Sequence, residues 1–312
     1  MIKVSNSLPN IAVLRGGNKS FKISLAEGVE VLSSLKKLDY NPLDVLIEKD
    51  GSWTLGGRPT DPHHIFSRAH TVVDTTRTKG EKYHTLAKEM GINLFFSRAN
   101  EMSLDREDFY RLLRQQNIKA PETEVIRSSQ PLSSNIFRDL WSRMHTPLMV
   151  RPLVRNDNAP SKLIKLFTDL EETVRDYHKK GIDMQIMTYR KVPTSSVAIL
   201  PDFRGERLYI PLWVETFAGI NEIPSSSSPI RAYLQAPEFR KEQIKKFVTN
   251  VYDTLGLTGP VCIDIIPSGD DYAVVNIDTE PSLRKDGRFM QSLETTGVDI
   301  GQYIHDQIVK GI

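Results

Sequence analysis

Apolar residues fall in short blocks whose period changes along the chain. The segment 10–17, NIAVLRGG, carries a short apolar run and ends in two glycines, which predicts a strand and a tight turn into a helix. Over 23–40, Leu25, Val29, Leu32 and Leu35 recur near helical spacing and predict an amphipathic helix. Residues 43–55 read as a strand, an Asp50-Gly51 turn and a second strand. The segments 70–76 and 92–97 read as short strands, and 81–91 as a helix closed by Gly91. Strand, glycine turn, helix and strand in alternation indicate an α/β unit with a largely parallel sheet.

Beyond Leu104 the pattern changes. A helix over 105–118, with Asp105 as N-cap, runs into the extended segment KAPETEVI. A helix at 137–144, a strand at 147–154, polar residues at 155–161 and the strand-like KLIKLF follow. Thr168 and Glu171 have capping-box spacing at the head of a helix over 168–181, which Gly181 closes. Two strands flank a break at Pro193, and RLYIPLWVETF continues the antiparallel character. The longest helix is expected over 237–257, then a hairpin turning at Ser268-Gly269-Asp270, then a final helix in VDIGQYIHDQIVKG. SSSS (225–228) reads as a flexible loop, and no internal repeat is visible.

A chain of 312 residues suggests two or three compact units. With 41 Lys+Arg against 39 Asp+Glu, bulk charge gives no reason to expect a nucleic-acid or membrane partner. Cys262 is the one cysteine, so an intrachain disulfide and a cysteine-rich zinc site are both excluded. No apolar run approaches the roughly 20 residues that span a bilayer, and the N-terminus has no cleavable leader pattern. These features predict a soluble cytoplasmic protein.

Candidate chemistry concentrates in VVNIDTEPSL, residues 274–283. Asn276, Asp278 and Glu280 alternate, so they share a face if the strand persists that far. Three oxygen-bearing side chains there either solvate a strand end or hold a hard metal such as Mg²⁺, which shares its ligands with substrate phosphates. DPHH (61–64) reads as an irregular segment on which adjacent histidines do not converge on a metal.

The order of these pieces resembles the ATP-grasp superfamily and, within it, the D-alanine–D-alanine ligase family. IAVLRGG with SLAEGVEVL, TLAKEMGINLFFS, DREDFYRLLRQQNIKAP, TPLMVRP, SVAIL and CIDII carry the resemblance over nearly the whole chain. It implies an α/β and α+β protein of ATP-grasp fold, with an N-terminal α/β domain at 1–100, a central lobe at 101–190 and a C-terminal lobe at 191–312. It also implies ATP between the two lobes, Mg²⁺ on its phosphates, and an acyl phosphate made on a carboxylate and captured by an amine. The partners implied are a small amino-acid substrate and a second copy of the chain in a homodimer. Asp264, Asn276 and Asp278 match the metal ligands, with amide and carboxylate exchanged at the last two. Arg106 and Arg151 match two phosphate-binding lysines, and Met187, Thr188 and Tyr189 match the adenine hinge.

The departures bear on chemistry. Arginine keeps the charge of those lysines but binds phosphate as a planar fork. The family's glycine-rich phosphate loop corresponds to RNDNAPSK (155–162), which has no glycine to allow close backbone approach. The hinge glutamate is missing, and a ribose-side glutamate matches Thr194. An ammonium-binding glutamate matches Ser20, and an arginine that steadies the tetrahedral intermediate matches Cys262. The family's H-G-x-x-G-E-D-G stretch is reduced to KGEKYH. Three readings remain open: a diverged ligase for the same dipeptide, a ligase for another carboxylate and amine, or a pseudoenzyme that keeps the fold for nucleotide binding or interaction. The residues have plainer readings too. Asp264 is then a solvated strand position, Arg151 a surface ion pair, Arg106 part of a solvated helix face, and Cys262 a small buried apolar residue.

Overall fold

The computed structural model describes residues 8–18, 20–77, 82–96, 106–153, 159–217, 228–233 and 235–311. Asp105, residues 79–81 and 155–158, and most of the SSSS loop lie outside them. Among the described residues, three sheets follow one another along the chain.

The first sheet contains β1 (Ile11–Gly16), β2 (Leu43–Ile47), β3 (Trp53–Leu55), β4 (Arg58–Thr60), β5 (Thr71–Asp74) and β6 (Asn93–Phe95), in the order β4-β3-β2-β1-β5-β6. β1 is parallel to β2 and β5, and β5 to β6, while β3 and β4 add an antiparallel edge. The helices are α1 (Phe21–Lys36), α2 (Pro62–Phe66) and α3 (Lys82–Glu89). Ile11 and Val13 enter one apolar cluster, Ala12 and Leu14 another, so β1 is covered on both faces over its four apolar residues, before Arg15 turns to Asp44. Gly16 ends the strand at φ +95°, where an added Cβ would lie 2.2 Å from the Ile47 carbonyl oxygen, so only glycine fits.

α1 forms as expected but presents a different face. Val29 is 53% exposed, while Ser24, Glu27, Gly28, Val31, Leu32 and Leu35 are buried. The physical reason is Gly28, which rests on the Arg15 side chain and draws the helix's small-residue side toward β1. DPHH is also helical rather than irregular. The Asp61 carboxylate accepts the His64 N–H at 2.9 Å and caps α2.

The second sheet contains β7 (Thr123–Ile126), β8 (Leu148–Pro152), β9 (Lys162–Ile164) and β10 (Met184–Thr188), paired antiparallel in the order β7-β10-β8-β9. Its stretch of chain carries α4 (Arg106–Gln115), α5 (Ser134–Arg143) and α6 (Phe167–Lys179). Leu170, Val174 and Tyr177 of α6, at spacings of four and three, join Phe137 and Leu140 of α5 over Val150, Met184 and Ile186. The Thr168–Glu171 capping box is absent. α6 starts one residue earlier, where Phe167 meets Trp141 edge-on at 5.9 Å, so Thr168 falls inside the first turn and Glu171 pairs with Arg175 instead.

The third sheet contains β11 (Thr194–Phe203), β12 (Glu206–Tyr209), β13 (Val214–Thr216), β14 (Ile230–Ala232), β15 (Val261–Ser268) and β16 (Asp271–Asp278). The order is β14-β13-β11-β15-β16, with β12 hairpinned onto β11. Its helices are α7 (Glu238–Thr254), α8 (Arg288–Glu294) and α9 (Ile300–Lys310). Val197, Ile199, Ile263 and Ile265 pack in one cluster with Ile244, Val248 and Val251 of α7. Ala198, Leu200 and Cys262 pack on the other side with Phe289, Leu293 and Ile304. Tyr110 and Leu113 of α4 belong to the α7 cluster, and Val31 and Leu35 of α1 to the other, so the third sheet is the hub of the molecule. None of the described helices is long and apolar enough to cross a membrane.

Candidate active site

The β15–β16 hairpin sets Asp264 opposite Asn276 and Cys262 opposite Asp278, with a bulge after Asp264. Opposed residues share a face, so all four side chains leave the same side of the sheet. Asp264 is buried and fully engaged. The Ser196 hydroxyl donates to its Oδ1 at 2.6 Å, and Asn276 Nδ2 and Arg288 Nη1 donate to its Oδ2 at 3.3 and 3.1 Å. β16 stops at Asp278, whose Oδ1 accepts the Glu280 N–H at 3.1 Å, so Glu280 does not extend the row.

Asp278 keeps an accessible edge yet sits deep among protein atoms. Burial pushes its carboxyl up to about 6, against the opposing pull of Arg77. A carboxyl that binds its proton more tightly when folded favours the fold most below its ordinary value, and that contribution is lost as pH rises to the folded pKa. In the ligand-free protein Asp278→Asn should therefore remove ~1–2 kcal/mol of stability loss between about pH 4 and 6. Urea unfolding across that window checks this, and an unchanged slope in the variant would contradict it.

Across from the hairpin, between the second and third sheets, lies a cavity of 300 Å³. Arg151 on β8 donates Nε to Gln185 Oε1 at 2.9 Å and Nη2 to the Tyr110 hydroxyl at 3.4 Å, and stacks over the Tyr110 ring at 5.9 Å. Arg106, the first residue of α4, donates to the Pro152 carbonyl. Among the described residues neither guanidinium has a carboxylate partner. Burial, then the charge of Arg151, pushes Arg106 down to about 10. Arg190 and Arg288 line the same space, so among the described lining residues four arginines stand with one carboxylate, Asp264. Such a cavity favours an anion.

The residues singled out from the sequence converge here. Arg106, Arg151, Tyr189, Asp264 and Asn276 line this cavity, with Met187, Thr188 and Thr194 beside them. Tyr189 is fixed by its N–H to the Pro147 carbonyl at 2.8 Å, and burial raises its phenol. Asp278 lines an adjoining cavity of 410 Å³, and Asp264 and Arg288 border both. Ser161, from the segment standing where a glycine loop was expected, also reaches the first cavity. Ser20 reaches neither. It starts α1 in the left-handed region at φ +51°.

Sequence reasoning missed Arg288, Ser196, Gln185, Tyr110 and Glu27. Arg288 lies beside Cys262 in the second cavity, so the positive charge absent at 262 is present in space from α8. Burial drives the Cys262 thiol well up, which makes it a poor nucleophile. Glu27, 2% exposed, accepts Arg77 Nη2 at 2.7 Å, the Ser282 hydroxyl at 2.7 Å and the Leu283 N–H at 3.2 Å. It thereby ties α1 to the segment that follows β16.

Among the described residues no three His, Cys, Asp or Glu side chains converge as a metal cage. Mg²⁺ does not require one, since one or two carboxylates with phosphate oxygens and water suffice. Asp264 and Asp278 meet that minimum, and Asn276 adds an amide oxygen. The condition is that Arg288 releases Oδ2 of Asp264.

No protein-family model matches the chain, and no curated protein matches its sequence. Solved structures do match in fold. A D-alanine–D-alanine ligase from Coxiella burnetii aligns with a TM-score of 0.75 at 14% identity, covering 97% of this chain and 93% of that one. A D-alanine–D-alanine ligase from Bacillus anthracis, complexed with ATP, aligns at 0.71 and 15% identity over 97% of both chains. The VanG D-Ala:D-Ser ligase from Enterococcus faecalis aligns at 0.73 and 12% identity over 97% of this chain and 99% of that one. Over nearly its whole length the chain therefore has the ATP-grasp fold of the D-alanine–D-alanine ligases, with a strongly diverged sequence.

Proposed function

We propose that the chain is an ATP-dependent carboxylate–amine ligase that joins two small amino acids through an acyl phosphate. The observation that carries this reading is the pair of half-buried guanidiniums, Arg106 and Arg151, which have no carboxylate partner among the described residues and line a cleft between two sheets with Asp264. Burying positive charge is costly, and a polyphosphate supplies a counter-charge for it. One matching structure is of a ligase complexed with ATP, which supports a nucleotide as the ligand.

In this reading the domains divide at 1–100, 101–190 and 191–312. Arg106 and Arg151 hold phosphate oxygens, Tyr189 and its neighbours border the base, and Asp264, Asn276 and Asp278 hold Mg²⁺. When bound, Mg²⁺ neutralises phosphate charge during transfer to the carboxylate. Arg288, beside Cys262, stabilises negative charge at the acyl centre in place of the missing arginine. A cytoplasmic homodimer belongs to the same reading, and sizing chromatography tests the dimer. The matching ligases are named for D-alanine with D-alanine and for D-alanine with D-serine, which makes small D-amino acids the first substrates to try.

One observation favours a second reading. The Arg288–Asp264 ion pair closes off a metal ligand, which suits a module that binds nucleotide without turnover. ADP release from Mg·ATP, measured against a panel of D- and L-amino acids, separates the two. The ligase reading expects release that depends on amino acid. Nucleotide binding with no release under any pairing would leave the binding module.

A further inference from the structure

We propose that Arg288 is a resident counter-ion for Asp264 that makes divalent metal and nucleotide bind together and excludes metal alone. The inference rests on the reading of Asp264 as a metal ligand and says what drives the release of Oδ2 by Arg288 that this reading requires.

A buried carboxylate needs a compensating charge, and here it has one. The Asp264 side chain is 8% exposed, and its Oδ2 receives Arg288 Nη1 at 3.1 Å while Ser196 takes Oδ1. A metal ion arriving alone must displace this guanidinium. From the 300 Å³ cavity it also meets Arg106, Arg151 and Arg190, and from the adjoining cavity, where Asp278 and Asp286 attract it, it still meets the Arg288 guanidinium on Oδ2. Free metal is accordingly disfavoured.

A bound polyphosphate reverses both terms. It turns the local charge negative, and it offers Arg288 a planar, doubly accepting partner that competes well with a carboxylate already shared by two other donors. Arg288 is free to respond. Its side chain is 37% exposed, it stands on the first residue of α8, and it borders both cavities. Once it turns to phosphate, Oδ2 of Asp264 is available to metal. Each ligand then raises the affinity of the other by the same factor, because binding linkage is reciprocal.

The test is Mn²⁺ binding, read from the electron-spin resonance signal of the free ion, with and without a non-hydrolysable ATP analogue. Wild type, Arg288→Gln and Arg288→Lys are compared. Wild type should bind Mn²⁺ weakly alone and at least about tenfold more tightly with the analogue, after correction for metal–nucleotide complex in solution. Arg288→Gln should bind Mn²⁺ alone about tenfold more tightly than wild type and lose most of the coupling. Arg288→Lys keeps the charge and should keep the exclusion, so the comparison survives if the glutamine variant folds poorly. Equal binding of Mn²⁺ alone by wild type and a folded Arg288→Gln, with coupling intact in both, would overturn the proposal. Absence of any nucleotide-dependent Mn²⁺ binding in all three proteins would overturn the metal assignment beneath it. Neither outcome touches nucleotide turnover, which is measured separately.

Discussion

Replacing Arg106 and Arg151 together by glutamine is expected to stabilise the empty protein while abolishing nucleotide binding. The two guanidiniums lie close enough that Arg151 lowers the proton affinity of Arg106, and neither has a carboxylate partner among the described residues. Glutamine removes that repulsion and desolvation cost and retains hydrogen-bonding capacity towards Pro152 and Tyr110. Because Arg106 is only half-buried, a gain of about 1 kcal/mol is expected, at the low end for replaced buried charges. For the ligand the sign is opposite. Each charge-assisted hydrogen bond to phosphate is worth ~1.5–3 kcal/mol, so losing both should weaken ATP roughly 10²- to 10⁴-fold. Urea unfolding and isothermal titration of one preparation measure the two effects. If the double variant were less stable than wild type and bound ATP as tightly, the guanidiniums would be structural and the cavity would not be a phosphate site.

Glu27→Ala should be the most damaging single change. The residue is 2% exposed and is bonded to Arg77 through both oxygens, to the Ser282 hydroxyl and to the Leu283 N–H. Removing one member of such a buried pair strands the other charge, at ~3–5 kcal/mol. The loss does not stop at stability. Arg77 also lowers the pKa of Asp278, so a displaced Arg77 changes the charge around a proposed metal ligand. Denaturant midpoints of Glu27→Ala and Glu27→Gln, compared with wild type, check this. The alanine variant should be markedly the weaker of the two, and a loss under about 1 kcal/mol would show that the α1 contact with residues 282–283 is peripheral.

Much of the architecture is legible because it rests on local pattern. The apolar run Ile11–Leu14 of β1 is legible since both its faces are covered, and the β15–β16 hairpin reads from two strand-like runs around Ser268-Gly269-Asp270. The meeting of Arg106, Arg151, Tyr189, Asp264 and Asn276 in one cavity was accessible from motif order, which carries long-range information that no single window holds. What escaped depends on partners far along the chain. Glu27 in a helix predicts exposure, and its burial follows from donors 50 and 255 residues away. α8 has seven residues, too short a window for helical periodicity to be read, so Arg288 gave no sign of its position. The face of α1 and the start of α6 were misread for the same reason. Gly28 on Arg15 and Phe167 on Trp141 are tertiary contacts that override spacing and cap preference.

The most direct test of the ligase reading follows oxygen. If a carboxylate oxygen attacks the γ-phosphorus, ADP leaves. When an amine then displaces phosphate from the acyl carbon, that phosphate carries the carboxylate's oxygen away. Mg·ATP turnover should be run with amino acids whose carboxylates bear ¹⁸O, starting with D-alanine and D-serine, and the released inorganic phosphate analysed by mass. The account predicts one ¹⁸O in each phosphate formed, matched by one new amide bond. Phosphate free of label would mean that water and not a carboxylate takes the phosphoryl group, which would contradict the account.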